Sequence, residues 1–414
     1  MGSMASINIG NYDFISYKNT FGDLLTIYSP EDLKVSEKTE DGETYTQYAY
    51  ITTVERAKKC LDCLGYTSLM AKKSFENSKQ KDIEFLDEFY EKGYCDYDSK
   101  TLKRHFSFEK WCQAAQKYAL LLSQDCFTSK CEYENLEKQR QRKDLTVTEK
   151  IVLDSLPFDH SIHFFGIHSE STWEVFRVLL DSFQPNQEIA LDYSNLYYGG
   201  WCYDYPEDSD FCDSKTIILT EGSYDAEVIS KSMRLLYPFM SKFYSFIDFS
   251  VANVQGSANF LTHYVKAFIG AGIQNRVIAL YDNDAAGHNE MDSLKNIVLP
   301  DNFRIMTLPD IALAENYPTI GPTKDESLNI NGKACSIELY LGGDVLADQN
   351  RLSSIMWKGY IDKIGIYQGE IINKSNIQKR FEQKLKEAEK NGVKDFENWR
   401  ELDLLLNTLF NAFI

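Results

Sequence analysis

The sequence predicts an α/β protein: a mostly parallel sheet flanked by helices, preceded by an α+β region and followed by a helical C-terminal tail. Three observations carry that expectation. First, the apolar runs TIILT (216–220), KFYSFIDF (242–249), RVIALY (276–281) and FRIMTL (303–308) alternate with segments of helical periodicity, among them AEVISKSMRLLY and ANFLTHYVKAFIG. Short strands alternating with helices of that length form βαβ units and hence a parallel sheet. Second, the first fifty residues alternate, and INIGNYDFISY and ETYTQYAYITT read as strands around a polar loop. From about Val54 to Glu137 the period becomes helical, as in FEKWCQAAQKYALLLSQ. Third, the stretch 203–213, YDYPEDSDFCD, is acidic, proline-bearing and without period, which marks a boundary.

In chain order, Met1–Ser3 read as residues added ahead of a native Met4, with no charged-then-apolar leader pattern. An N-terminal domain is expected over 4–208. It includes a helix near 146–155, a short strand and amphipathic helix within HSIHFFGIHSESTWEVFRVLLDSF, and a hairpin around Gly199-Gly200. The parallel-sheet domain is expected over 209–345. A helical extension over 346–414 begins with a loop and carries helices near 375–391 and 395–412. A chain of 414 residues exceeds the usual single-domain size, in keeping with this division.

Composition removes several classes. At 43% hydrophobic and 14% aromatic residues the chain supports a packed core, and no apolar run reaches the length of a membrane span. A soluble, cytoplasmic protein without a membrane partner is the expectation. The nine cysteines are scattered, and Cys60 and Cys63 have neither a second pair nor a histidine pair to complete four zinc ligands. They lie in the helical segment ERAKKCLDCLGY and read as reduced structural thiols. The net charge of −18 argues against wholesale phosphate neutralisation, and the basic runs 138–143 and 377–390 read as solvated helix faces. No G-x-x-x-x-G-K-[ST] motif occurs, so a fused P-loop ATPase is not expected.

The chemistry gathers where apolar strands end. Glu221 follows IILT directly, with Asp225 four residues on; Asp282 and Asp284 follow RVIALY. Ligands of open parallel sheets collect at that edge. An Asp-x-Asp in extended chain turns both carboxylates to one side, and four acids on two neighbouring strands suit one or two hard divalent cations such as Mg2+. Asp225 and Asp284 also read as helix N-caps, whereas Glu is a poor cap, and Glu221 follows a buried strand. His288, four residues after Asp284, and Tyr224 and Tyr281 beside the acids are alternatively ligand-facing or structural.

This pattern resembles the Toprim domain: a strand ending in Glu-Gly, a helix, and a later strand ending in Asp-x-Asp, over roughly 214–345. The spacing in Glu221-Gly-Ser-Tyr-Asp225 is similar to the OLD-type nuclease arrangement, and Ser336-Ile-Glu338 resembles the Ser-x-Glu of that family. The resemblance implies a metal set of Glu221, Asp225, Asp282, Asp284 and Glu338. Glu221, Asp225 and Glu338 would hold one Mg2+ or Mn2+, and Asp282 and Asp284 the other. Glu221 and Asp282 would be catalytic together with a lysine, for which Lys374 is the best placed and Lys363 and Lys333 are rivals. Phosphodiester cleavage of DNA or RNA, with tRNA among the candidates, is the implied activity. INIGNYDFISYKN and the strand–helix region after it resemble the HEPN/Toprim-associated N-terminal domain of bacterial proteins, which implies a place in antiviral defence; the several long helices and the missing ATPase motif lead to the expectation of a homo-oligomer or a partner protein. A HEPN ribonuclease motif needs Arg and His separated by four to six residues; Arg104 and His105 are adjacent, so no autonomous HEPN active site is expected. A non-catalytic metal- or nucleotide-binding scaffold and a primase-like nucleotidyl transferase remain as alternatives.

Overall fold

The computed structural model describes residues 3–40, 42–94, 97–124, 132–156, 164–167, 171–202, 215–247, 256–321, 326–349 and 351–414. The chain divides into two units, Met1–Asp213 with Ile414, and Ser214–Phe413. The boundary stretch 203–213 lies outside the described residues, as do His160, His163 and His168.

The first unit is built on five antiparallel strands: β1 Met4–Ile9, β2 Tyr12–Lys18, β3 Leu33–Glu40, β4 Glu43–Thr53 and β5 Glu188–Asp192, in the order β2-β1-β5-β4-β3. The polar loop expected between the first strands contains β3. Its residues 34–39 are exposed, as suits an edge strand whose charged side chains blunt it against unwanted pairing. The expected hairpin at Gly199-Gly200 is instead a short helix, Ser194–Tyr198, that follows the central strand β5. Asp192 Oδ1 accepts bonds from the backbone N–H (2.9 Å) and the hydroxyl (2.7 Å) of Ser194, which turns the chain into a helix rather than back along the sheet. The helices expected between Val54 and Glu137 are present, from Val54–Leu64 to Glu132–Arg140. Two of them frame an aromatic core in which Phe75 and Trp111 pack with ring centroids 5.5 Å apart. Cys60 and Cys63 are buried in the first helix.

The second unit holds the parallel sheet. Strands β6 Thr216–Thr220, β7 Tyr244–Phe246, β8 Val277–Tyr281 and β10 Phe303–Thr307 pair in parallel in the order β10-β8-β6-β7. Every residue of β8 is buried, as expected of a central strand with both faces covered. Leu219, Val277, Ala279 and Tyr281 pack against Leu261 and Val265 of the helix Ala258–Gly270. The helix Ser223–Leu236 follows β6 and is packed by the C-terminal helices Lys374–Asn391 and Arg400–Phe410.

Three smaller sheets, eight strands in all, complete the unit. The two-residue strand β9, Asn283–Asp284, pairs with β13, Ala334–Cys335. β11 Tyr317–Ile320 and β12 Glu326–Leu328 join a hairpin of β16, Ile355–Ile361, and β17, Ile366–Ile371, while β14 Ala347–Asp348 and β15 Arg351–Leu352 form a short ribbon. The region from 346 on is therefore not only helical. The alternation of IMWKGYI and IYQGEI around a turn closed by Gly365 at φ +70° is a hairpin pattern. Its half-exposed strands lack the apolar weight of β6 or β8. Among the described residues, no helix is long and apolar enough to cross a membrane.

Candidate metal centre at the carboxyl edge of the parallel sheet

β6 and β8 are neighbours in register, with Thr220 opposite Leu280, so Glu221 and Asp282 leave the sheet side by side. Glu221 Oε1 accepts the Asp282 backbone N–H at 2.9 Å. The next helix presses close: a Cβ on Gly287 would lie 2.4 Å from the Asp282 carbonyl oxygen and 3.3 Å from Glu221 Oε1. Gly256 makes the matching approach from the other side, where a Cβ would meet the Glu221 carbonyl oxygen at 2.3 Å. Gly287→Ala should therefore displace the helix Ala285–Asp292 from the acids and lower the melting temperature by several degrees. A thermal melt beside that of the exposed-position control Gly270→Ala, where a Cβ meets nothing, checks this.

The remaining acids arrive by separate routes. Asp225 occupies the first turn of Ser223–Leu236, and its Oδ2 accepts the Gly222 N–H at 2.9 Å. Asp284 is the N-cap of Ala285–Asp292: Oδ1 accepts the Gly287 N–H at 2.7 Å, and Oδ2 accepts from Gln368 Nε2 at 2.6 Å. The β9–β13 pairing carries Ser336 to the site as the cap of a 3-10 turn, Ile337–Tyr340, in which Glu338 is completely buried. Glu338 Oε2 accepts from Ser336 Oγ at 2.7 Å, and Oε1 accepts from Gln378 Nε2 at 2.9 Å.

Lys374 opens the helix that follows β17, and its Nζ stands 3.2 Å from Glu338 Oε1. A cation in the first turn opposes the helix dipole, so its position is explained by the acids rather than by its own helix. The rivals stand elsewhere: Lys333 Nζ donates to the Asn329 carbonyl, and Lys363 pairs with Asp292 at 3.7 Å. Glu370 pairs with Lys358 at 3.4 Å on the exposed hairpin. Tyr281 is buried, with its hydroxyl 2.8 Å from Thr262 Oγ1, a structural role.

Asp282 is the exception in the cluster. Among the described residues no donor is recorded on its carboxylate, whereas the other four acids each accept at least one protein hydrogen bond. Burial, then the charges of Asp225, Glu221, Asp284 and Glu338, push the Asp282 carboxyl well above the usual range. Burial, with Asp284, Asp225 and Glu290 outweighing the Asp282 N–H bond, raises Glu221 to about 8. Burial and Glu338 raise Asp225 to about 7 against the opposing pull of Lys374. Burial alone would lower Lys374; Glu338, Asp282 and Asp225 raise it instead. Five carboxylates with one lysine among them are short of positive charge.

No three His, Cys, Asp or Glu side chains among the described residues stand close enough together to hold a metal ion as they are oriented. The donor set nevertheless fits one in kind: hard oxygens, an excess of negative charge, and Asp282 with no protein donor. Sequence reasoning missed Gln368 and Gln378. Gln378 lies one helical turn after Lys374 and was within reach of an i,i+4 reading. Gln368, whose Oε1 also accepts the Ala286 N–H at 2.9 Å, sits on the overlooked β17 and gave no signal.

A parallel α/β sheet with an acid cluster at its carboxyl edge thus follows an antiparallel α+β unit. The family HEPN/Toprim N-terminal domain 1 matches residues 1–216, half of the chain, and the protein belongs to that family. Comparison with curated proteins and with solved structures returned no match.

Proposed function

We propose that the protein is a divalent-metal-dependent nuclease of Toprim type with an OLD-like acid set, cleaving phosphodiester bonds of DNA or RNA. The observation that carries the reading is Asp282, which leaves β8 beside Glu221 at the end of the parallel neighbour β6, has no protein donor among the described residues, and feels the charges of Asp225, Asp284 and Glu338. Membership of the HEPN/Toprim N-terminal family supports a nuclease-related role, and through that resemblance a part in antiviral defence.

Glu221, Asp225, Asp282 and Glu338 would hold Mg2+ or Mn2+, which when bound would activate water and neutralise charge on the phosphate. Asp284 caps the helix Ala285–Asp292 through the Gly287 N–H and ties that helix start to β17 through Gln368. Lys374 is 44% exposed, so its ammonium keeps a face toward solvent from which to meet a phosphate oxygen while Glu338 orients it. Gln378 and Ser336 hold Glu338 in place for that task.

The test is cleavage of plasmid, single-stranded DNA, total RNA and tRNA in EDTA, Mg2+ or Mn2+. Lys374→Ala should lose cleavage by about 100-fold or more while Mg2+ still raises its melting temperature. Equal cleavage by parent and variant would remove Lys374 from the mechanism. The engagement of four acids by protein donors favours a second reading, a metal-binding regulatory subunit. Metal-induced stabilisation with no cleavage of any substrate would select it.

A further inference from the structure

We infer that a cavity beside the acids binds the phosphodiester backbone of the strand presented to them, an inference that rests on the nuclease reading. The cavity, of about 330 Å³, lies between the helix Ala285–Asp292, the loop 329–333 and the β16–β17 turn. His288, Asp292, Lys295, Lys333, Ile364 and Ile366 line it. Asp292, the one carboxylate of the lining, pairs with Lys295 at 2.5 Å and with Lys363 beyond the lining at 3.7 Å, while the second lining lysine, Lys333, donates to the Asn329 carbonyl. In a chain of net charge −18 this local cationic excess is out of keeping with its surroundings.

His288 is fixed by a relay that begins between the acids. Asn283, buried between Asp282 and Asp284, donates from Nδ2 to Asp310 Oδ1 at 2.7 Å. An ionised carboxylate only accepts, so the amide nitrogen must face Asp310 and the amide oxygen must face His288. His288 Nε2, 3.0 Å from Asn283 Oδ1, then carries the hydrogen. The same residue that separates the two aspartates therefore sets the ring at the cavity wall. The volume is at the small end for ligand cavities. It suits a phosphate and its sugar, with the amines and imidazole for the anion and Ile364 and Ile366 against the sugar, and no aromatic platform for a base. DNA and RNA share this backbone chemistry.

The experiment is fluorescence anisotropy of labelled single-stranded oligonucleotides, one DNA and one RNA, with the full chain in EDTA over a range of salt. The variants are the double substitution Lys295→Gln/Lys333→Gln, His288→Ala and Asp282→Ala. The double variant should bind about ten-fold more weakly, with a salt dependence shallower by about 0.7 per lysine. His288→Ala should also weaken binding, and Asp282→Ala should bind as tightly as the parent or more so. A stronger effect on one oligonucleotide supports the inference and names the sugar. Unchanged binding in the double variant overturns it, as does absence of binding at low salt. Mg2+-dependent stabilisation, measured separately, keeps the outcomes apart: if present with lysine-independent binding, only the cavity fails; if absent with lysine-dependent binding, the metal centre fails.

Discussion

Asp282→Ala is expected to remove metal-dependent cleavage, by at least about 100-fold, while the protein remains folded. Loss of residues that merely support a metal ligand commonly costs 10–100-fold in affinity or activity, and Asp282 is the centre of the acid set. Its carboxylate is electrostatically coupled to Asp225, Glu221, Asp284 and Glu338. Truncation should not unfold the sheet, because β8 ends at Tyr281 and the Asp282 backbone remains bonded to Glu221. Cleavage rates with Mg2+ and Mn2+, beside far-UV circular dichroism, test this. Full activity in the variant would sink the proposed centre.

The metal-free protein should be more stable at pH 5 than at pH 8, and Mg2+ should reverse much of that difference. Glu221 moves from an ordinary 4.5 up to about 8, and Asp225 from 3.8 up to about 7. Between the unfolded and folded values the native state binds more protons than the unfolded chain, so stability falls as pH rises. The contribution is fully present below about pH 4 and is lost by about pH 8. Each unit of displacement is worth about 1.4 kcal/mol, which across two coupled groups amounts to several degrees of melting temperature. Asp282→Asn removes one of the repelling charges, so the variant should be the more stable protein at pH 8 without metal and should gain less from Mg2+. Melts at both pH values, with and without Mg2+, check the sign. A parent protein that gains stability toward pH 8 in EDTA would contradict the crowding of charge described above.

The legibility of the site varied residue by residue. Glu221 and Asp282 were readable because a buried apolar run ending in an acid is costly without a cation nearby. Glu338 and Lys374 were found only through family resemblance, since 53 or more residues separate them from the β8 acids and no local period connects them. Asp284 was readable alone as an N-cap and, with the other acids, as a ligand; the fold shows the cap. His288 was readable from its place four residues after Asp284 as either ligand-facing or structural, but its bond to Asn283 in the two-residue strand β9 was not.

The sequence by itself determined the parallel strands, their helices and the acids at their ends. Period and strand-end position are local properties written in consecutive residues. Only the tertiary structure decided which lysine joins the acids, where Glu338 goes, and that a basic-lined cavity adjoins them. Those outcomes depend on the β9–β13 pairing and on the β16–β17 hairpin, contacts between distant segments whose half-polar sequences carry little period of their own. The antiparallel order of the first unit likewise waits on β5, which enters the sheet between β1 and β4 from more than 130 residues away in sequence.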